Sequence, residues 1–199
     1  EKALLSSPAA CAKSIHERMG KLRAKDASHP DLEPLAELLE AVEAVAPDEV
    51  SKLNELVARL KSDPIWKWSP QDPADRLVVF TERIETLKFL EKHLPARLGL
   101  AESAVAILHG QIPDNTIQDT VEDFGKTNSK LRLLIASDVA SEGINLHFQS
   151  HRLVHFDIPW SLMVFQQRNG RIDRYGQEQQ PQIVYLATQS TNPKINGDT

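Results

Sequence analysis

Residues 77–94, LVVFTERIETLKFLEKHL, set an apolar run (Leu77 to Phe80) directly before a helical pattern (Glu82 to Leu94), and Ala104 to Leu108 then supplies a second apolar run. Runs this short, bounded by polar residues, read as strands buried on both faces rather than as helices. The alternation continues along the chain. Asp114 to Phe124 reads as helix, Leu131 to Ala136 and Leu153 to Phe156 as strands, about Ser161 to Arg174 as helix, and Ile183 to Ala187 as a last strand. Strands alternating with helices predict an α/β fold, a mostly parallel sheet sandwiched by helices. Ligands of such sheets sit beyond the carboxyl ends of the strands, which is where chemistry is sought.

Residues 1–62 have a different texture and predict an N-terminal helical region. Ser7 before Pro8 is a start signal, an N-cap followed by proline at the first helical position, for a helix reaching about Lys25. Leu32, Leu35, Leu38, Leu39 and Val42 recur at helical spacing within Asp31 to Val45, and Val50, Leu53, Leu56, Val57 and Leu60 mark a third helix beyond Pro47. These stripes read as packing between helices. Residues 63–75 carry three prolines and read as a linker in which Trp66 and Trp68 dock rather than stack on bases. The expected organisation is a helical region 1–62, a linker 63–75, a lobe 76–188 and a tail 189–199.

Composition narrows the classes. With 41% hydrophobic and 26% charged residues the 199-residue chain is ordinary for a globular protein. A net charge of -5 excludes a whole-surface field that gathers nucleic acid, so a DNA contact needs a local patch. The single cysteine, Cys11, excludes an internal disulfide and a cysteine-rich metal site, and fits a reducing, cytoplasmic location. No apolar run approaches the roughly 20 residues of a membrane span, and the first residues lack the pattern of a signal peptide. The chain opens on Glu1 rather than methionine, which reads as a piece excised from a longer protein.

Three strand ends carry candidate chemistry. Ser137-Asp138-Val139-Ala140-Ser141-Glu142-Gly143-Ile144-Asn145 follows the third strand; it reads either as an ordinary turn or as a loop whose amides meet a phosphate, with Gly143 allowing close approach. His109-Gly110 follows the second strand, and no partner for metal or nucleophilic chemistry accompanies the histidine. In Gln167-Arg168-Asn169-Gly170-Arg171-Ile172-Asp173-Arg174, a continuous helix places Gln167, Arg171 and Arg174 on one polar stripe, with Leu162, Phe165 and Ile172 opposite, toward the sheet. Gly170 within that helix costs about 1 kcal/mol relative to alanine, a sacrifice useful for a face pressed on a nucleotide or another domain but not for a solvated one. The arginine fork suits a polyphosphate.

The pattern Gln167-x-x-Gly170-Arg171-x-x-Arg174 resembles the arginine-finger motif of superfamily-two helicases and translocases, and Arg174-Tyr175-Gly176-Gln177 resembles the ending typical of the Swi/Snf-type branch. Ser137 to Asn145 resembles the strand-end motif of the family's second RecA-like lobe. Leu153 to Trp160 is similar to the strand and turn before the arginine helix, and Leu77 to Thr81 to the opening strand. Together these cover about residues 76–188 in the family's order. Bacterial members, such as the ATPase that recycles stalled RNA polymerase and the helicase-like proteins of phage defence, are the most similar. Glu142 stands where many RNA helicases carry arginine, which disfavours the DEAD-box branch, and the 199 residues hold neither a G-x-x-x-x-G-K-[ST] loop nor an Asp-Glu box after an apolar strand.

The resemblance implies the C-terminal RecA-like lobe of an ATP-dependent double-stranded DNA translocase, with ATP shared between it and an N-terminal RecA-like lobe of the same parent chain that also holds Mg²⁺. Arg171 and Arg174 are then catalytic; Gln167, Gly143, Asn145 and Glu142 line the nucleotide; Thr81, His109, Gly110 and Ser137 face the nucleic-acid backbone; no residue here ligates metal. The 199 residues alone are expected to lack ATPase activity. Two other readings stand beside this one: a catalytically silent module whose N-terminal helices dock a protein partner, and a helicase subunit of a restriction or defence complex.

Overall fold

The short apolar runs form the strands expected of them in a computed structural model that describes residues 2–138, 143–148 and 150–192. Helices α1 (Lys2–Ser6), α2 (Pro8–Lys25), α3 (Leu32–Glu43) and α4 (Ser51–Ser62) precede β1 (Leu77–Phe80). Then follow α5 (Ile84–Leu98), β2 (Val105–Leu108), α6 (Asp114–Gly125), β3 (Leu133–Ala136), β4 (Arg152–His155), α7 (Leu162–Asn169) and β5 (Gln182–Tyr185). The five strands are all parallel, in the order β2-β3-β1-β4-β5. The fold is the α/β RecA-like arrangement, and its carboxyl edge gathers the ends of β1, β3 and β4 at the centre.

Period-two alternation divides the strands between two cores. Leu77, Val79, Leu133, Ile135 and Val154 pack with Leu87, Leu90 and Leu94 of α5 and with Leu53, Leu56, Val57 and Leu60 of α4. Val78, Phe80, Leu134, Ala136 and Leu153 pack on the other face with Ile117 and Phe124 of α6 and with Ile172. Most of these side chains are fully buried, and each leucine, valine, isoleucine or phenylalanine among them contributes about 1.5–3 kcal/mol.

Local signals set the ends of the helices. Ser7 caps α2, extended at φ -161 and accepting from the Ala10 amide at 3.2 Å, with Pro8 at the first helical position. Gly99 ends α5 in the left-handed region at φ 71, where other residues are strained. Helices α2 and α3 build a small core of their own around Cys11, Ile15, Met19 and Val42. In the connector, Trp66 and Trp68 dock into the sheet's core, and the Trp68 indole N–H donates to the Asp75 carbonyl at 2.7 Å. Among the described residues no helix is long and apolar enough to cross a membrane.

One element differs from the sequence reading. The helix expected to reach Arg174 stops at Asn169, with Gly170 as its C-cap. The chain then tightens into a turn in which the amides of Arg171 and Ile172 bond the carbonyls of Arg168 and Asn169. Gln167, Arg171 and Arg174 therefore do not form one helical stripe, and Leu162 is 71% exposed instead of facing the sheet. Phe165 and Ile172 do turn inward: Ile172 is fully buried, and Phe165 stacks on His155 with ring centroids 4.6 Å apart. A Cβ on Gly170 would meet only the Gln166 and Gln167 carbonyls, at 3.4 and 3.6 Å, so packing within the described residues does not demand glycine.

Candidate nucleotide and nucleic-acid edge

Each central strand delivers a polar residue to the carboxyl edge. Thr81 follows β1, its amide bonded to the Ala136 carbonyl, and Ser137 follows β3, its amide bonded to the Leu108 carbonyl. Thr81 is fully buried and its hydroxyl donates to Asp157 Oδ2 at 2.5 Å, so its side chain presents no surface to a strand of nucleic acid. Ser137 and His109 are also buried, whereas Gly110 is exposed. His109 accepts from the Gln111 amide through Nδ1 at 3.3 Å, which leaves the proton on Nε2 when the ring is neutral.

Asp157 organises the middle of this edge. Besides Thr81, its Oδ2 accepts from the Glu82 amide at 3.1 Å and from the Ser6 hydroxyl at 2.9 Å. Ser6 and Ser7 both lie within 2.7 Å of Thr86 Oγ1. The junction of α1 and α2 is thereby tied to the ends of β1 and β4 by a buried polar network centred on Asp157 Oδ2, while Asp157 Oδ1 is buried without a hydrogen-bond partner among the described residues.

The arginine turn closes over the loop that follows β3. The Leu146 amide donates to the Arg171 carbonyl at 3.0 Å, the Arg171 guanidinium reaches the Ile144 carbonyl at 3.4 Å, and Arg174 bonds Asn145 Oδ1. Gly143 takes φ 78 at the start of this loop, a conformation that favours glycine. The Gln177 amide sits within 3.1 Å of the carbonyls of His147, Ser150 and Ile172, stapling the far end of the turn to the same loop. Gly143, Asn145, Arg171 and Arg174 thus come together, with Arg174 and Asn145 exposed. Gln167 is exposed on α7 apart from those contacts; Glu142 lies outside the described residues. Such a cluster, two guanidiniums beside a glycine loop at a sheet's carboxyl edge, has the donor chemistry to grip phosphate oxygens.

The residue that sequence reasoning missed is Arg168, only 1% exposed. Its guanidinium pairs with both oxygens of Asp138, Nε to Oδ1 at 2.5 Å and Nη2 to Oδ2 at 2.8 Å. Nη1 donates to the Asp157 carbonyl at 2.9 Å and approaches His155 Nδ1 at 3.4 Å, and the group lies 5.6 Å from the Phe80 ring centre. His155 is completely buried and bonds Asn169 Oδ1 at 2.7 Å. Burial is the main reason its pKa falls from 6.5 to about 4, with the Arg168 charge adding to the fall and the Asn169 bond opposing it. The ring is therefore neutral near pH 7, its Nε2 proton on Asn169 and its Nδ1 lone pair toward Arg168. The signal for Arg168 is present in the sequence: it stands three residues after Phe165 and four before Ile172, on the apolar side of the helix.

The helicase conserved C-terminal domain family matches residues 52–176. An uncharacterized ATP-dependent helicase, YqhH, of Bacillus subtilis (strain 168) is 35% identical over 117 residues, 59% of this chain and 20% of that protein. The RNA polymerase-associated protein RapA of Pectobacterium carotovorum (strain PC1) is 40% identical over 117 residues, 59% of this chain and 12% of its own length. The chain thus spans a fifth or less of these two relatives. Among solved structures, the C-terminal part of the Fun30 ATPase domain superposes with a TM-score of 0.60 at 19% identity, covering 94% of this chain and 64% of that one, a likeness of fold.

Proposed function

This chain belongs to the helicase conserved C-terminal domain family, and from that footing we propose that it is the C-terminal motor lobe of an ATP-dependent, Swi/Snf-type double-stranded DNA translocase. The observation that carries the reading is the convergence of Arg171 and Arg174 on the Gly143–Asn145 loop at the sheet's carboxyl edge. The complementary phosphate-loop lobe, with its Mg²⁺, lies elsewhere in the parent protein.

Bound ATP supplies the terminal phosphoryl group that passes to water. Arg174, exposed and steadied by Asn145, extends its fixed charge toward the terminal phosphates when the lobes close, and Arg171, braced on the Ile144 carbonyl, lines the same approach. Neither needs a protonation change to act, since guanidinium stays charged. Placing positive charge where negative charge gathers lowers the barrier, an effect worth about 10³ to 10⁵ in rate for arginine fingers. Toward nucleic acid, exposed Gly110 after β2 offers a backbone contact to phosphates without reading bases. Thr81, Ser137 and His109 act from beneath that backbone, holding it in place.

The test uses a protein in which these residues are joined to a phosphate-loop lobe. Arg174→Ala is expected to lower DNA-stimulated ATP turnover at least 100-fold while ATP binding changes little. An unchanged turnover sinks the assignment. Stimulation by single-stranded RNA but not by duplex DNA would overturn the substrate class.

A further inference from the structure

We propose that Arg168 is a positioning residue: it holds the turn bearing Arg171 and Arg174 in register with the Gly143–Asn145 loop and touches no nucleotide itself. The inference rests on the function proposed above and names what makes that site rigid.

Three elements meet on this one side chain. Asp138 begins the segment that leads from β3 to Gly143, Asp157 follows β4, and Arg168 itself stands one residue before the end of α7. A single guanidinium bonds the Asp138 carboxylate by two nitrogens and the Asp157 carbonyl by the third. The Arg168 carbonyl then accepts the Arg171 amide at 3.1 Å, so the turn is hung directly on the anchored residue. Asn169, next in the chain, is held by buried His155 at 2.7 Å. The arginine turn is thereby tied at its root to β3 and β4, as its far side is tied to the loop by Leu146 and Gln177.

The energetics favour a positional role over a stabilising one. A buried ion pair seldom outperforms apolar side chains of similar volume, because desolvating two charges consumes most of their attraction. Its use here is geometric: a planar fork with three occupied directions fixes where its backbone lies, which a leucine or methionine cannot do. Lysine, a point charge on a flexible stem, could meet Asp138 but could not bond Asp138 twice and Asp157 as well.

A double-mutant cycle for ATP turnover, in the protein that includes the complementary lobe, tests this. Arg168→Lys alone is expected to lower kcat tenfold or more with KM for ATP unchanged within threefold. Arg168→Lys added to the Arg171→Ala/Arg174→Ala pair should be no slower than that pair, because a residue that acts through those two arginines has nothing left to position. Multiplying effects, or an Arg168→Lys enzyme with unchanged kcat, overturns the positioning role while leaving the function reading intact. An Arg171→Ala enzyme with unchanged kcat removes the function reading, and this inference falls with it. Should Arg168→Lys fail to fold, Asp138→Asn, which keeps the side-chain shape, enters the same cycle with the same expected non-additivity.

Discussion

Asp138→Ala isolates the buried charge at the root of the arginine turn. It leaves Arg168, 1% exposed, with the Asp157 carbonyl and the Phe80 ring but without its carboxylate. Removing one partner of a buried pair costs about 3–5 kcal/mol. The Asp138 side chain is itself 28% exposed, so water can reach the vacated space and the lower end applies, about 3 kcal/mol. With a urea slope of about 2 kcal/mol/M, the unfolding midpoint should fall by about 1.5 M. Equilibrium urea unfolding followed by circular dichroism and by the fluorescence of buried Trp66 and Trp68 reads this directly. Arg168→Met in the same background removes the stranded charge and should recover most of the loss, since apolar replacement of a buried pair is often near neutral. A midpoint shift under about 0.5 M for Asp138→Ala, or a double variant no more stable than the single, would refute the account of Arg168 as a desolvated, paired charge.

Other outcomes follow from the same geometry. The pKa of His155 drops on folding from 6.5 to about 4, so the unfolded chain binds a proton that the folded one refuses. Its stability contribution is intact above pH 6.5 and is lost as pH falls toward 4, about 3 kcal/mol over that window; His155→Gln should lose that part of the acid slope, and an unchanged slope would contradict it. Gly170→Ala should alter the chain's own stability by less than about 1 kcal/mol, because its Cβ meets only two carbonyls at ordinary contact distance. A loss above about 2 kcal/mol in a melting experiment would reveal packing that this geometry excludes.

Much of the fold was legible because it is local. Leu77 to Phe80 and Leu131 to Ala136 are apolar at every position or nearly so, which only a strand covered on both faces accommodates, and Ser7-Pro8 carries its own start signal. The strand-end loop and the arginine segment were legible as candidates for the same reason. The end of α7 was not. Helical spacing through Gly170 is compatible with continuation, and what stops it is the pairing of Leu146 with the Arg171 carbonyl and of Arg174 with Asn145, contacts between segments distant in sequence. Thr81 shows the same limit from the other side: a threonine after a strand looks available, yet Asp157, distant in sequence, turns its hydroxyl inward.

By itself, then, the sequence determined a parallel α/β lobe and the edge at which its candidate site residues gather, because burial on one or both faces writes a short-range period into the chain. Only the tertiary structure decided that, within Gln167 to Arg174, Arg168 lies inside, Arg171 half-buried and Arg174 outside. Arg168, Arg171 and Arg174 are chemically identical, and the difference between the buried anchor and the exposed charge of Arg174 comes from the Asp138 carboxylate and the Asp157 carbonyl, which the sheet brings to Arg168.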